Sequence, residues 1–262
     1  MSGIDHARRT SFGSVARQYD RARPSYPAAL VDEVIAYAGA RPGSCAVEAG
    51  AGTGKATALF AERGLRITAI EPSPEMAEVG AAHLDDARVR FVISTFERAE
   101  LAPHSARLIF SAQAWHWVEP LTGERIAARV LEPGGAIACF WNRVDWSRCA
   151  LRRRLDTAYA SVRWGDGGLM APKLAEFDFT AAWRERVSAV PGLGAPESRT
   201  YGWTQSYSTA EYIALLGTHS DHILLEESRR IALFGAVAAV IDEAGGSIEL
   251  TYSTQLCLAR AI

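Results

Sequence analysis

Val47-Glu48-Ala49-Gly50-Ala51-Gly52-Thr53-Gly54-Lys55 is the stretch on which the fold turns. Residues 45–48 before it form a short apolar run of strand character. Residues 55–63 after it have helical spacing and stop at Gly64. Three glycines at alternate positions let the backbone turn sharply and approach a ligand closely. A strand, a glycine turn and a helix, in that order, is the setting of a nucleotide-type loop.

Three readings of the loop compete. A phosphate-binding GxxxxGK loop would need glycine at 49 and a hydroxyl at 56, and both positions are alanine. A dinucleotide fingerprint, G-x-G-x-x-G, would put its third glycine at 55, which is lysine; that glycine is what permits close helix–strand packing. The pattern that fits is E-x-G-x-G-x-G, with Glu48 ending the strand. A carboxylate there suits a cationic ligand and opposes a phosphate. A plain strand–turn–helix connection is the remaining alternative. The next strand, residues 66–71, ends in Glu71, which lies 21 residues beyond Gly50. Folds of this kind set an acid against ribose hydroxyls roughly 20 residues on.

Working outward, residues 1–145 alternate short aliphatic runs with amphipathic ones, as βαβ units do. Pro27 opens a helix whose Leu30, Val31, Val34, Ile35 and Ala38 share a face. Further strands are expected at 89–93, 107–111 and 136–141, with helices at 74–84 and 124–131. After Asn142 the rhythm changes. Residues 146–164 and 180–190 both read as helices with no strand between them. That predicts a helical lid over 146–195 within a single domain spanning 1–262, on the edge of the sheet where open α/β folds place ligands. A strand near 198–203, a Ser208-Thr209-Ala210-Glu211 capping box, one long helix over 220–243 and a last strand at 248–258 complete the chain. The fold class is α/β, a Rossmann-like, seven-stranded, mostly parallel sheet with helices on both faces.

These residues resemble the class I S-adenosylmethionine-dependent methyltransferases over essentially the whole chain. Glu48, Gly50, Gly52 and Gly54 look like their first motif, and Glu71-Pro72 like their second-strand acid. Met76 is similar to an apolar position that packs on adenine, and Thr95-Phe96 to the segment flanking the adenine edge. Ser111-Ala112-Gln113-Ala114-Trp115-His116-Trp117 resembles the fourth motif, beside the methionine moiety. Residues 19–27, Tyr-Asp-Arg-Ala-Arg-Pro-Ser-Tyr-Pro, look like a segment closing over the cofactor in the subgroup that contains trans-aconitate methyltransferases. The resemblance implies S-adenosyl-L-methionine as cofactor, Tyr19 and Arg23 near its carboxylate, and one antiparallel strand near the sheet edge. For Tyr19 and Arg23 the competing reading is simple helix packing.

Methyl transfer from a sulfonium is an in-line displacement whose rate owes much to positioning and to exclusion of water. No metal is required, and the histidines at 6, 83, 104, 116, 219 and 222 lack zinc spacing. His116, after the fourth strand, is the candidate general base; orienting the substrate and a structural role are its alternatives. Trp115 and Trp117 offer π faces, with core packing the preferred reading. The other classes weighed are a nicotinamide-dependent oxidoreductase, a cofactor-binding protein without catalysis and a nucleic-acid methyltransferase. The missing glycine at 55 argues against the first. A net charge of −2 argues against nucleic acid.

The 262 residues, 48% hydrophobic and 22% charged, suffice for a large core. Arg152, Arg153 and Arg154 read as a solvated helix face. Four cysteines without CxxC spacing read as reduced thiols, the N-terminus has no apolar leader core, and the apolar run 233–241 is too short for a membrane span. A cytoplasmic enzyme with a small-molecule substrate is expected; the sequence sets no oligomeric state. Trp146, Tyr159, Trp164, Leu169, Met170, Phe177, Phe179 and Trp183 load the lid with apolar surface and favour an apolar acceptor over a polycarboxylate.

Overall fold

The computed structural model describes residues 16–84, 86–162 and 179–262. Its seven strands are β1 (Cys45–Ala49), β2 (Arg66–Glu71), β3 (Val89–Ile93), β4 (Ala106–Ala112), β5 (Leu131–Val144), β6 (Glu197–Ser208) and β7 (Ser247–Arg260). They follow the order β3-β2-β1-β4-β5-β7-β6. The pairs β1–β2, β2–β3, β1–β4 and β4–β5 are parallel. Gly134 and Gly135 bond Ala261, whereas Asp145 bonds Thr251, so β7 runs antiparallel to β5. Strand order reverses between β1 and β4, the topological switch point beside which open α/β sheets bind ligands.

The chain forms two compact units. One comprises the described residues of 24–142, 179–201 and 254–262, and the other residues 16–23, 143–162 and 202–253. In the first, both faces of the sheet are covered, and successive strand residues alternate between two cores. Ile137, Cys139 and Trp141 face one core, whereas Ala136, Ala138 and Phe140 face the other. Helices α2 (Ala28–Ala38) and α3 (Lys55–Glu62) cover one face; α5 (Thr122–Val130) and α7 (Phe179–Ser188) cover the other. Burial on both faces explains why these strands read as continuous apolar runs. Helix α4 (Pro74–His83) starts at Ser73, whose hydroxyl accepts the Met76 N–H, with Pro74 in the first turn.

The second unit has its own core, built from α1 (Ala16–Ala22), α6 (Arg152–Ser161), α8 (Thr209–Leu216), α9 (Ser220–Ile223) and α10 (Glu227–Asp242) with parts of β6 and β7. Tyr159, Tyr212, Leu233, Val237 and Tyr252 are buried there. The expected capping box is present at Ser208 and Glu211. The single helix expected over 220–243 is instead two. Glu226 caps a new helix by accepting the Ser228 N–H, and that breaks the run.

The stretch expected as one lid, 146–195, is divided between the units. Its first part contains a 3₁₀ turn at Trp146–Arg148 and α6, in the second unit. Its last part, α7, buries Trp183 and Val187 in the first unit's core, because these two residues, four apart, line one face of the helix. Trp164, Leu169, Met170 and Phe177 lie outside the described residues, as does the side chain of Phe179. The apolar load of the described part is thereby accounted for: Tyr159 and Trp183 are fully buried, and Trp146 packs beneath the Arg152 guanidinium. Among the described residues, no helix is long and apolar enough to cross a membrane.

Candidate functional site

The C-terminal ends of β1, β2, β3 and β4 carry, in turn, Gly50, Pro72, Ser94 and Gln113. The first unit therefore gathers most of the sequence-selected residues at one sheet edge. Gly50, Gly52 and Gly54 all take positive φ, at 72°, 59° and 81°. A Cβ on Gly50 would stand 2.4 Å from that of Ala114, so the loop and the turn after β4 are in direct contact. Met76 is buried, and its terminal methyl lies 3.5 Å from where a Cβ on Gly52 would be.

How the loop uses its N–H groups separates the competing readings. Gly50 and Ala51 both donate to the Ile70 carbonyl, at 2.9 and 3.0 Å, and Gly54 donates to Ala51. Gly52 donates to Glu71 Oε2 at 2.8 Å, while Ser73 N–H donates to Glu71 Oε1 at 2.9 Å. A phosphate cradle depends on loop N–H groups aimed at the ligand. Here four of them are already bonded within the protein, one of the four to a carboxylate. Thr53 is buried, and its hydroxyl lacks a partner among the described residues.

Glu48 is 1% exposed, and the Thr57 hydroxyl donates to its Oε2. Burial, opposed by that hydrogen bond and reinforced by the charge of Glu71, pushes its carboxyl up to about 8. The sequence reading took Glu48 as ionised. In the folded chain the desolvated group holds its proton near neutrality, and a nearby cation would release it.

Phe96, buried in a 3₁₀ turn after Thr95, packs on Trp115 at 5.4 Å between ring centroids. Ser94 N–H bonds the Glu71 carbonyl, tying that segment to the β2 end. Trp115 is fully buried, as the core reading requires. His116 is exposed, and its Nδ1 accepts from Trp141 Nε1 at 3.4 Å, which favours the neutral tautomer with the proton on Nε2. Tyr19 and Arg23 belong to the second unit. There Arg23 donates to the Thr218 hydroxyl and carbonyl, both at 2.8 Å, and lies 4.9 Å from the centroid of the Tyr19 ring. Pro72 is exposed.

The structure adds two groups that sequence reasoning passed over. Glu124, fully buried on α5, accepts from Trp115 Nε1 at 2.9 Å and lies 3.3 Å from Arg186 Nε of α7. Asn142, at the end of β5, bonds three separate chain segments. Neither carries a sequence signal, since Glu124 reads there as one more polar position of an amphipathic helix. Among the described residues, no cluster of three or more His, Cys, Asp or Glu could hold a metal ion.

Residues 47–139, from β1 to β5, match a family described as a methyltransferase domain. An uncharacterized methyltransferase of Mycobacterium tuberculosis is 40% identical over 142 residues, covering 53% of this chain and 56% of the relative. The chain thus spans just over half the length of that relative. A solved protein of Anaeromyxobacter dehalogenans, described as a type II methyltransferase, superposes with a TM-score of 0.64 at 21% identity, covering 91% of this chain and 97% of its own. Phosphoethanolamine N-methyltransferase 2 of Haemonchus contortus, solved with phosphomonomethylethanolamine and S-adenosylhomocysteine, reaches 0.57 at 14% identity, covering 95% of this chain and 57% of its own. The fold is the Rossmann-like fold of methyltransferases.

Proposed function

We propose that this chain transfers a methyl group from S-adenosylmethionine to a small-molecule acceptor. The observation that carries the reading is the glycine loop, whose N–H groups are bonded internally and which is flanked by two buried acids, Glu48 and Glu71. Such a loop suits a nucleoside that is cationic and lacks phosphate, and offers little to a dinucleotide. The match over residues 47–139 and the Haemonchus neighbour's small-molecule complex support it.

Residues that would hold the cofactor are Glu71 toward the ribose, Met76 with Thr95 and Phe96 about the base, and the Gly50–Gly52–Gly54 loop with Gln113 toward the amino-acid end. The cofactor, when bound, supplies an activated methyl on a sulfonium. The chain positions the partners and excludes water. His116, whose Nδ1 accepts from Trp141 Nε1, would orient an acceptor oxygen or take its proton. Arg23 is assigned to the second unit's packing on its Thr218 contacts, with the Tyr19 ring beside it. The apolar-acceptor preference lapses for Tyr159 and Trp183, which are core residues.

Calorimetric titration with S-adenosylhomocysteine, NAD and ATP is the test. Binding of S-adenosylhomocysteine alone is expected, and tighter binding of NAD would overturn the reading. In the same assay Glu71→Ala is expected to weaken binding by about 2 to 3 kcal/mol, through loss of charge-assisted bonds and release of the Gly52 and Ser73 N–H groups. A folded variant that binds like the parent would refute the ribose assignment.

A further inference from the structure

We infer that Asn142 is a positioning residue for the ligand-facing turn at Gln113. Gln113 follows β4 in the left-handed region, with φ 59°, a conformation a non-glycine residue keeps only where its surroundings hold it. Two contacts do so: its N–H donates to the Phe140 carbonyl at 2.9 Å, and its Nε2 to the Asn142 carbonyl at 3.2 Å. Both acceptors are on β5, and the second is held in turn by its own side chain. Asn142 Nδ2 donates to the Ser25 carbonyl at 3.0 Å, and its Oδ1 accepts from the fully buried Thr254 hydroxyl at 2.6 Å.

The amide uses its donor and acceptor ends on two different elements, so its orientation is fixed. The next residue after Gln113 is Ala114, which already fills the space that a Cβ on Gly50 would need. A shift of Asn142 therefore reaches the glycine loop in two steps, through Gln113 and then Ala114. Asn142 is not among the residues proposed to hold the cofactor and acts through Gln113. The inference rests on the reading of the loop given above.

Asn142→Asp tests it without changing shape. Ionised, the new carboxylate has no proton to give the Ser25 carbonyl and repels it; protonated, it can donate again. S-adenosylhomocysteine affinity is measured for parent and variant at about pH 7.5, where an ordinary aspartate is ionised. The variant is expected to bind about tenfold more weakly. A merely structural role would lower the variant's unfolding midpoint and leave the affinity of the folded protein unchanged. Thr254→Val removes the other anchor and is expected to lose roughly fivefold, with Thr254→Ser restoring it; this pair carries the comparison if the aspartate variant does not fold. Parent-like binding by the folded variants, or a Thr254→Ser variant that binds no better than Thr254→Val, overturns the inference while leaving the loop's assignment intact. Absence of binding by the parent itself refutes that assignment and this inference with it.

Discussion

Gly50→Ala isolates one contact whose cost can be worked from the geometry. The residue has φ 72°, where an L side chain costs about 1 to 2 kcal/mol. The new methyl would also stand 2.4 Å from Ala114 Cβ, well inside contact distance, and overpacking of that kind costs about 1 to 3 kcal/mol. The variant should therefore lose about 2 to 5 kcal/mol of stability. Gly52→Ala is the matched control. It shares the left-handed backbone, at φ 59°, but its methyl would meet Met76 Cε at an ordinary 3.5 Å, so only the backbone cost of about 1 to 2 kcal/mol applies. Adding Ala114→Gly to Gly50→Ala removes the clashing partner and should return most of the excess. Urea unfolding followed by tryptophan fluorescence measures all four proteins, because Trp115, Trp141 and Trp183 are buried in one cluster and report on it. Equal losses for Gly50→Ala and Gly52→Ala, or no recovery on adding Ala114→Gly, would refute the reasoning.

Two further outcomes follow from buried acids. The folded chain holds the Glu48 proton up to about 8, whereas an unfolded carboxyl releases it near its ordinary value, so between those values stability falls as pH rises. Glu48→Gln cannot titrate, so unfolding measured from pH 5 to 8 should show the parent losing ground steadily to the variant, and a constant gap would show that burial does not hold the proton. Arg186→Met strands the fully buried Glu124 carboxylate and should cost about 3 to 5 kcal/mol, most of it recovered in the double variant with Glu124→Gln. A loss in the single variant no larger than that of an ordinary surface change would refute the pair's contribution to stability.

The parts of the fold that were legible in the sequence are those set by local chemistry. Strands β2 and β3 fall at the expected residues because each is an apolar run bounded by polar or turn residues. The glycine loop, Glu71 and Met76 gather at one sheet edge because β1 and β2 are consecutive and parallel. What escaped depends on contacts between distant residues. The partners of Asn142 lie as far off as Ser25 and Thr254, and no local pattern announces a strand-end amide as a junction. Glu124 looked like one more polar position on an amphipathic helix until α7 brought Arg186 to it. The break at Glu226 was hidden because Leu224 and Leu225 continue the apolar spacing across it.

The composition of the sheet-bearing unit from residues 24–142, 179–201 and 254–262 has a consequence for synthesis. A chain emerging from the ribosome completes β5 about 110 residues before its partner in β7 exists, a wait of roughly 6 to 20 s at about 5–20 residues per second. During that interval Cys139, Trp141 and Phe140 lack the neighbouring strand whose Cys257, Leu256 and Leu258 share their two cores. The nascent sheet carries an apolar open edge, the feature on which premature strand pairing and aggregation start. Long sequence separation between pairing strands also slows closure. Recovery of intact protein in the cell will accordingly depend on translation speed and chaperone supply, and changes near residues 254–262 will lower yield more than their effect on the finished molecule's stability.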